Sequence, residues 1–442
     1  MEKRNCRHRR YGFGLVLLLL CLVISARAEA DGMVPVWSPV PYLAEDSAVA
    51  RLEQNRLVFP AGHQYFDTLY TRLKDLQTYE EASVRMLHIG GSHVQAGVFS
   101  GRMRSNLQTL SPAGQAGLGM AFPFSVMGTN GPKGYSYTAT GKWDKSRNIE
   151  QAPSASLGLA GAAVMTEDIS STLTFRCDRA FESVLIYGGS LSDTAWVYPV
   201  MIADGDTLYS SRGSGDAGFE FLFSHPVNEC TLALAGDSCG GFAFRGLIAD
   251  PYSPGLLYSA SGINGAAVPS WLKCGEFETE LQPVAPDLVL FAIGINDANV
   301  TDFSPEQFKR NYRELMRRIR LSNPQCAFLF ITNNDCYLNV GRKKKTYNRN
   351  TEKVEQAFLE LAEESHGAVW NLYRIMGGYG SSNKWVKAGM MRSDHIHFSV
   401  RGYELLGDML YNAMLEDMAA SLGLAIPETE SADFTGEADE VK

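Results

Sequence analysis

The sequence predicts an α/β protein built on a parallel sheet with helices on both faces, interrupted by an inserted all-β domain of sandwich or jelly-roll type. Three observations carry this. Near-continuous apolar runs at 84–89, 287–293, 326–331 and 368–372 have the length of strands and the unbroken hydrophobicity of strands covered on both faces. They alternate with stretches of helical period at 62–79, 94–110, 304–321, 351–365 and 399–422. Between about 144 and 252 the helical period fades, and short β-prone segments bounded by Gly, Asp, Asn or Ser follow one another.

Taken in order, the chain of 442 residues opens with a basic head, Lys3, Arg4, Arg7, Arg9 and Arg10. An apolar run follows at 15–24, and Ala26-Arg27-Ala28 supplies a small-x-small cleavage site. The run is about half the roughly 20 residues of a spanning helix, so residues 1–28 read as a secretory signal peptide cut after Ala28. An exported chain, periplasmic or extracellular, is expected, with no integral membrane segment once the signal is removed. The whole chain carries 40 basic and 49 acidic residues. Six of the basic residues and one acidic residue lie in the signal, leaving 34 against 48 and a net charge of −14. A chain this acidic, without a basic block, is a poor candidate for nucleic acid. Lys343-Lys344-Lys345 reads as a solvated edge.

Residues 29–144 form the first part of the sheet domain, opening with a Pro-containing surface arm at 29–60. Next come a helix at 62–79, the strand 84–89, the Gly-rich turn 90–91 and a helix at 94–110. Residues 145–254 form the β insertion and 255–423 the second part of the sheet domain. There Ser304, with Gln307 three residues on, caps one helix, and Ser399 caps the last. The tail 424–442 is acidic, rich in Ser, Thr and Gly, and reads as disordered. Cys177, Cys230, Cys239, Cys274, Cys326 and Cys336 remain after the signal. An even count in an exported chain permits disulfides; Cys230 and Cys239 are spaced to staple a hairpin or to stand as separate thiols. No pair has zinc-finger spacing.

Four short stretches stand at strand ends or loops: Gly90-Gly91-Ser92-His93, Gly262-Ile263-Asn264-Gly265, Gly294-Ile295-Asn296-Asp297 and Asp394-His395-Ile396-His397. A serine on a Gly turn after a buried strand exposes its hydroxyl at the carboxyl edge of the sheet, where such folds place ligands. The hydroxyl needs a base to become a nucleophile, which a histidine supplies near neutral pH. A carboxylate then fixes the imidazole tautomer. Asp394 and His397, three apart before the last helix, suit that pairing. A backbone N–H and an Asn amide suit a developing oxyanion. Each stretch alone reads equally as a turn; their joint, ordered occurrence is what points to a site. His395 also invites a metal reading, which too few neighbouring ligand types support. Gly236-Asp237-Ser238 competes with the first stretch, but β-prone sequence follows it where Ser92 is followed by a helix, and that context favours Ser92.

The four stretches resemble the SGNH (GDSL-type) hydrolases, over roughly 83–145 and 255–420. The resemblance implies a flavodoxin-like three-layer α/β/α fold and an esterase, lipase or carbohydrate deacetylase. It implies Ser92 as nucleophile, His397 as base, Asp394 as its partner, and an oxyanion hole of the Ser92 and Gly265 backbone N–H groups with the Asn296 amide. No metal or organic cofactor is implied. The Ser-His pair and the placement of the β insertion are similar to exported bacterial peptidoglycan O-acetylesterases. The implied partner is an acylated, best acetylated, polysaccharide or a small ester. One departure stands out: the family's Gly-Asp-Ser is Gly90-Gly91-Ser92 here, which removes a carboxylate that braces the turn. An O-acetyltransferase acting on a sugar acceptor, and a weakly active or inactive carbohydrate-binding descendant, stay open, as do sugar identity, acyl length and oligomeric state.

Overall fold

The structure, a computed structural model, describes residues 37–111, 116–211, 217–341 and 345–426. The expected signal peptide, most of the acidic tail, and Lys343 and Lys344 lie outside the described residues. The described residues from Pro39 on form one compact unit.

The apolar runs become a seven-stranded sheet in the order Leu57–Val58, Ala368–Trp370, Ala327–Ile331, Leu288–Ala292, Ser83–Gly90, Gly255–Gly262, Ala116–Gly117. All neighbours are parallel except Leu57–Val58, which lies antiparallel to Ala368–Trp370 at one edge. Successive side chains point to opposite faces, and both faces are covered. Leu87, Ile89, Val289, Phe291, Phe328 and Phe330 share one core with Trp271, Phe308, Tyr312 and Phe358 from helices Val268–Leu272, Pro305–Arg320 and Asn350–Ser365. The other face meets helices Gln64–Thr78, Val98–Gln108 and Val400–Leu422. The three-layer arrangement is the one the alternating pattern predicts.

Helix ends follow local chemistry. Ser304 Oγ accepts from Gln307 N, and Ser399 Oγ accepts from Gly402 N, each satisfying a first-turn donor with no intrahelical partner. The stretch 94–110, read as one helix, is two: Ser92–Gln95 and Val98–Gln108. Gly97, at φ +73°, turns the chain between them.

The expected surface arm at 29–60 is corrected in its second half. Leu57 is buried and its two-residue strand joins the sheet. Asn55 is buried, donating to Met409 O at 2.8 Å and accepting from Trp370 Nε1 at 2.9 Å. A strand of two residues has no period for a sequence to display.

The β insertion is an antiparallel sheet. Its main path runs Asp206–Leu208, Val197–Ala203, Phe219–Gly236, Thr172–Ser190, Phe242–Ala249, Ala162–Thr166, Asp144–Arg147. Two strands branch from it: Gly119–Ala121 pairs with Phe242–Ala249, and Tyr135–Thr140 with Thr172–Ser190. The antiparallel sheet thus takes in residues from Gly119, ahead of the composition change near 144, through two short strands, one largely polar, that show no clear pattern in sequence. All six cysteines among the described residues are free thiols, so Cys230 and Cys239 form no staple. No helix among the described residues is long and apolar enough to cross a membrane.

The antiparallel sheet shares its apolar core with one face of the parallel sheet. A buried ion pair crosses the junction: Arg245, on strand Phe242–Ala249, donates to Glu280 on helix Phe277–Leu281. Leu159 N donates to the second Glu280 oxygen at 2.7 Å. Burial pushes the Glu280 carboxyl above its ordinary range, opposed by Arg245 and the Leu159 N–H. Removing one member of such a pair strands a buried charge. Arg245→Met is therefore expected to lower the unfolding free energy by about 3–5 kcal/mol in urea titrations. Adding Glu280→Gln should recover part of that loss, since a neutral amide oxygen still accepts from Leu159.

Candidate active site

Three of the four motif stretches meet because their strands end level. Gly90 is in register with Gly262 on one side and Ala292 on the other. Beyond these residues the chain enters Gly91-Ser92, Ile263 to Gly265 and Ile293 to Asn296. The helix Ser92–Gln95 sits directly on the strand ends. A Cβ on Gly262 would lie 2.5 Å from Gln95 N and 2.9 Å from Gly91 O, so no larger residue fits there. Ser92 opens that helix, and its N–H has no intrahelical acceptor.

The fourth stretch comes from the loop before the last helix. Ser92 Oγ and His397 Nε2 are 2.8 Å apart. His397 Nδ1 lies 2.9 Å from Asp394 Oδ2. The other Asp394 oxygen accepts from the backbone N–H groups of Ile396 and His397, each at 2.9 Å. With Nδ1–H donating to the carboxylate, Nε2 is left as the acceptor facing the serine. Burial works to raise the Asp394 pKa, but the His397 ring N–H and the two backbone donors outweigh it and hold it below the ordinary carboxylate value.

Ser92 and His397 line a cavity of about 650 Å³, together with Gly265, Asn296 and Arg392. Gly265 takes φ +84°, a conformation open to glycine at no steric cost. Asn296 Nδ2 donates one hydrogen to Ala266 O at 2.9 Å; an amide nitrogen carries two, so a second donor remains. Asp297, the next residue, accepts from Val268 N with both oxygens, at 3.1 and 3.2 Å. It thereby ties the third stretch to the helix that follows the second. Burial pushes its pKa up to about 7, against the Val268 N–H.

Gly91 has φ −99°, and a Cβ there would sit 3.4 Å from Asn296 Nδ2 and 3.5 Å from Ala266 O. Its surroundings are thus the Asn296 amide and backbone carbonyls, and the turn is braced from elsewhere. Gln95 Nε2 donates to Asn130 O at 2.7 Å and Thr129 Oγ1 at 3.1 Å, while Gln95 Oε1 accepts from Asn264 N at 2.6 Å. This buried amide locks the first and second stretches together. Sequence reasoning missed it, since a lone Gln on a short helix carries no motif.

His93 was singled out only as the neighbour of Ser92. Its Nδ1 lies 2.6 Å from the Tyr403 hydroxyl, and its ring centre 5.6 Å from that of His397. Burial, with the neighbouring His397, pushes its pKa down to about 3, so it stays neutral through the physiological range. Ser238 lies in the turn between strands Phe219–Gly236 and Phe242–Ala249 of the antiparallel sheet and does not line the cavity. Among the described residues, no group of three or more His, Cys, Asp or Glu is placed to hold a metal. The arrangement can activate a serine hydroxyl, and the second Asn296 amide hydrogen stands on the same cavity.

Residues 233–405 match the model of the GDSL-like Lipase/Acylhydrolase family. The match takes in Gly265, Asn296, Asp394 and His397. It also runs through Gly236-Asp237-Ser238 and does not reach Ser92, yet Ser92 is the serine paired with His397. No curated protein matches the chain significantly. Among solved structures, the chain is similar to a peptidoglycan O-acetylesterase at 20% identity, covering 82% of this chain and 99% of that one, with a TM-score of 0.67. That is a likeness of fold. Weaker similarities include the acetyl xylan esterase AlAXEase (17% identity, 36% of this chain and 80% of that one, TM-score 0.29). Another is a family two carbohydrate esterase from Cellvibrio japonicus (10% identity, 65% and 99%, TM-score 0.25).

A fluorophosphonate that reacts with activated serines is expected to label Ser92 and to leave Ser238 unmodified, read by peptide mass spectrometry. Gln95→Ala should slow labelling by about 10–100-fold through misplacement of Ser92. Equal labelling of both serines would contradict the assignment.

Proposed function

We propose that this chain, a carboxylic ester hydrolase of the GDSL-like lipase/acylhydrolase family, is exported and removes acetyl groups from a cell-wall polysaccharide. The observation that carries the hydrolytic part is the continuous chain of contacts from Asp394 through His397 to Ser92, whose histidine and serine line a cavity together with Asn296.

In the proposed reaction Ser92 Oγ attacks the ester carbonyl as His397 Nε2 takes its proton. Asp394 keeps Nδ1–H in place and stabilises the imidazolium. The oxyanion sits between the N–H groups of Ser92 and Gly265 and the free hydrogen of the Asn296 amide. His397 then returns the proton to the leaving alcohol. A water molecule, deprotonated by the same nitrogen, releases the acid and restores Ser92. Every step uses groups of this chain, and the proton moves between two atoms 2.8 Å apart.

Three observations support the substrate class. The basic head, apolar run and Ala26-Arg27-Ala28 have the composition of a signal peptide, which supports export to the side of the membrane where a cell wall lies. The cavity is open to a group of sugar size, and Asn130, Asn264 and Arg392 line it with polar groups suited to hydroxyls. A neighbour with this fold along most of its length is a peptidoglycan O-acetylesterase.

The mature protein is expected to hydrolyse p-nitrophenyl acetate faster than the butyrate and to release acetate from O-acetylated peptidoglycan. Ser92→Ala should cut kcat by about 10³–10⁶-fold, with Asp394→Asn also strongly impaired, as for members of a unit that acts together. Ser238→Ala should leave turnover unchanged. Acetate that appears on an added sugar acceptor instead of in solution would make the protein a transferase. Sugar binding without turnover of any activated ester would make it a binding protein.

A further inference from the structure

The segment that presents Asp394 and His397 is held in a conformation its own residues do not favour. Met391 and Phe398 form an antiparallel bridge, and Arg392 N donates to His397 O at 2.8 Å. His395 N donates back to Arg392 O at 3.1 Å, closing a tight turn. To leave that turn His395 takes φ +59°, the left-handed region. This position in a hairpin loop is ordinarily given to glycine, because a Cβ is crowded there. With His395 so placed, one Asp394 oxygen accepts from Ile396 N and His397 N while the other reaches His397 Nδ1. The triad geometry therefore depends on a disfavoured backbone conformation at one residue.

Two contacts hold that residue. Its imidazole lies flat on Tyr337, with ring centres 4.1 Å apart and planes within 18°. Its Nδ1 pairs with Ser382 Oγ at 3.2 Å. Tyr337 stands on the hairpin Tyr337–Asn339 with Lys345–Tyr347, and packs edge-on to Tyr347 at 4.9 Å. Ser382 opens the helix Ser382–Lys387, and its N–H donates at 2.9 Å to buried Asp335, just past the end of strand Ala327–Ile331. A chain of contacts thus runs from the carboxyl edge of the sheet to the turn. Neither His395 nor Tyr337 lines the cavity.

We propose that His395 is a positioning residue: its stack on Tyr337 and its bond to Ser382 fix the turn from which Asp394 and His397 reach Ser92. This rests on the triad reading above. A misplacement of about 1 Å at reacting groups costs about 100-fold in rate, and a turn released from its tether has that freedom. The plainer account is that the contacts only compensate for a histidine where glycine would serve. The two accounts differ in what glycine does.

The test compares His395→Gly, Tyr337→Leu and Tyr337→Phe in the full mature chain, reading kcat and KM on p-nitrophenyl acetate. His395→Gly relieves the backbone but removes both tethers. It is expected to lower kcat by about 10–100-fold, with KM within about twofold. Tyr337→Leu should act in the same direction, and Tyr337→Phe, which keeps the ring, should restore kcat to within about threefold of the parent. Thermal unfolding checks that each variant is folded; should Tyr337→Leu not fold, His395→Gly decides. The low-field proton resonance of His397 Nδ1–H reports the Asp394 bond without turnover and should be weakened or lost in His395→Gly. Turnover by His395→Gly equal to the parent's, with that resonance intact, overturns the proposal. A parent that shows the resonance but hydrolyses no ester, with the resonance lost in His395→Gly, overturns the hydrolase reading and leaves the positioning role standing.

Discussion

Gly90 pairs across to Gly262 and to Ala292, and this level ending of three parallel strands is the constraint from which the site follows. Parallel strands fully covered on both faces leave only their ends free. A shift of the central strand by two residues against either neighbour would keep its faces buried, yet move Ser92 by about 6–7 Å relative to Gly265 or Asn296. The glycines at 90 and 262 allow the helix Ser92–Gln95 to rest on the strand ends, with its N–H groups close to where charge develops in the proposed reaction.

Around that edge the structure spends its polar groups on joining one loop to another. Gln95 connects the turn of Ser92 to the loops at Asn130 and Asn264. Asp297 connects the third stretch to the helix after the second. Asp394 uses one oxygen to shape its own loop and the other to orient His397. Gln95 and Asp297 are each bonded to backbone groups of another stretch and hold the loops at the separations the strand ends set, while Asp394 fixes the shape of its own loop. Such preorganisation is what lets donors stabilise charge without rearranging at the moment of reaction. The aspartate of the Gly-Asp-Ser motif that the first stretch resembles is Gly91 in this chain, and Gln95 supplies a brace from the other end of the same short helix.

The antiparallel sheet is continuous in its core with the parallel one. The buried Arg245–Glu280 pair lies at this junction, where desolvation makes an unpaired partner costly. Residues 119–121 and 135–140 cross early into the antiparallel sheet, and the loop between them carries Asn130 to the cavity.

Much of the fold was legible in the residues. The runs 84–89, 287–293 and 326–331 are apolar without alternation because both sides of each strand are buried. Ser304 and Ser399 announce helix starts because an N-cap is satisfied within three residues. The four motif stretches were legible for the same reason: glycine turns, an Asx-type loop and a strand end are local demands of the backbone. What lay beyond the sequence was everything that joins distant positions. Ser92 and Ser238 both follow apolar segments; the helix after Ser92 favours it in sequence, but only the fold pairs it with a histidine 305 residues away. Leu57–Val58 is too short to show a period and becomes a strand because Ala368–Trp370 offers it an edge. Gln95 and His395 belong to no pattern; one acts through the backbones of Asn130 and Asn264, the other through Tyr337 and Ser382. Local motifs are fixed by forces acting over a few residues, whereas strand register and loop-to-loop bonds are decided when the whole sheet packs. The sequence by itself therefore determined which kinds of groups the site holds, and the tertiary structure decided which of them meet.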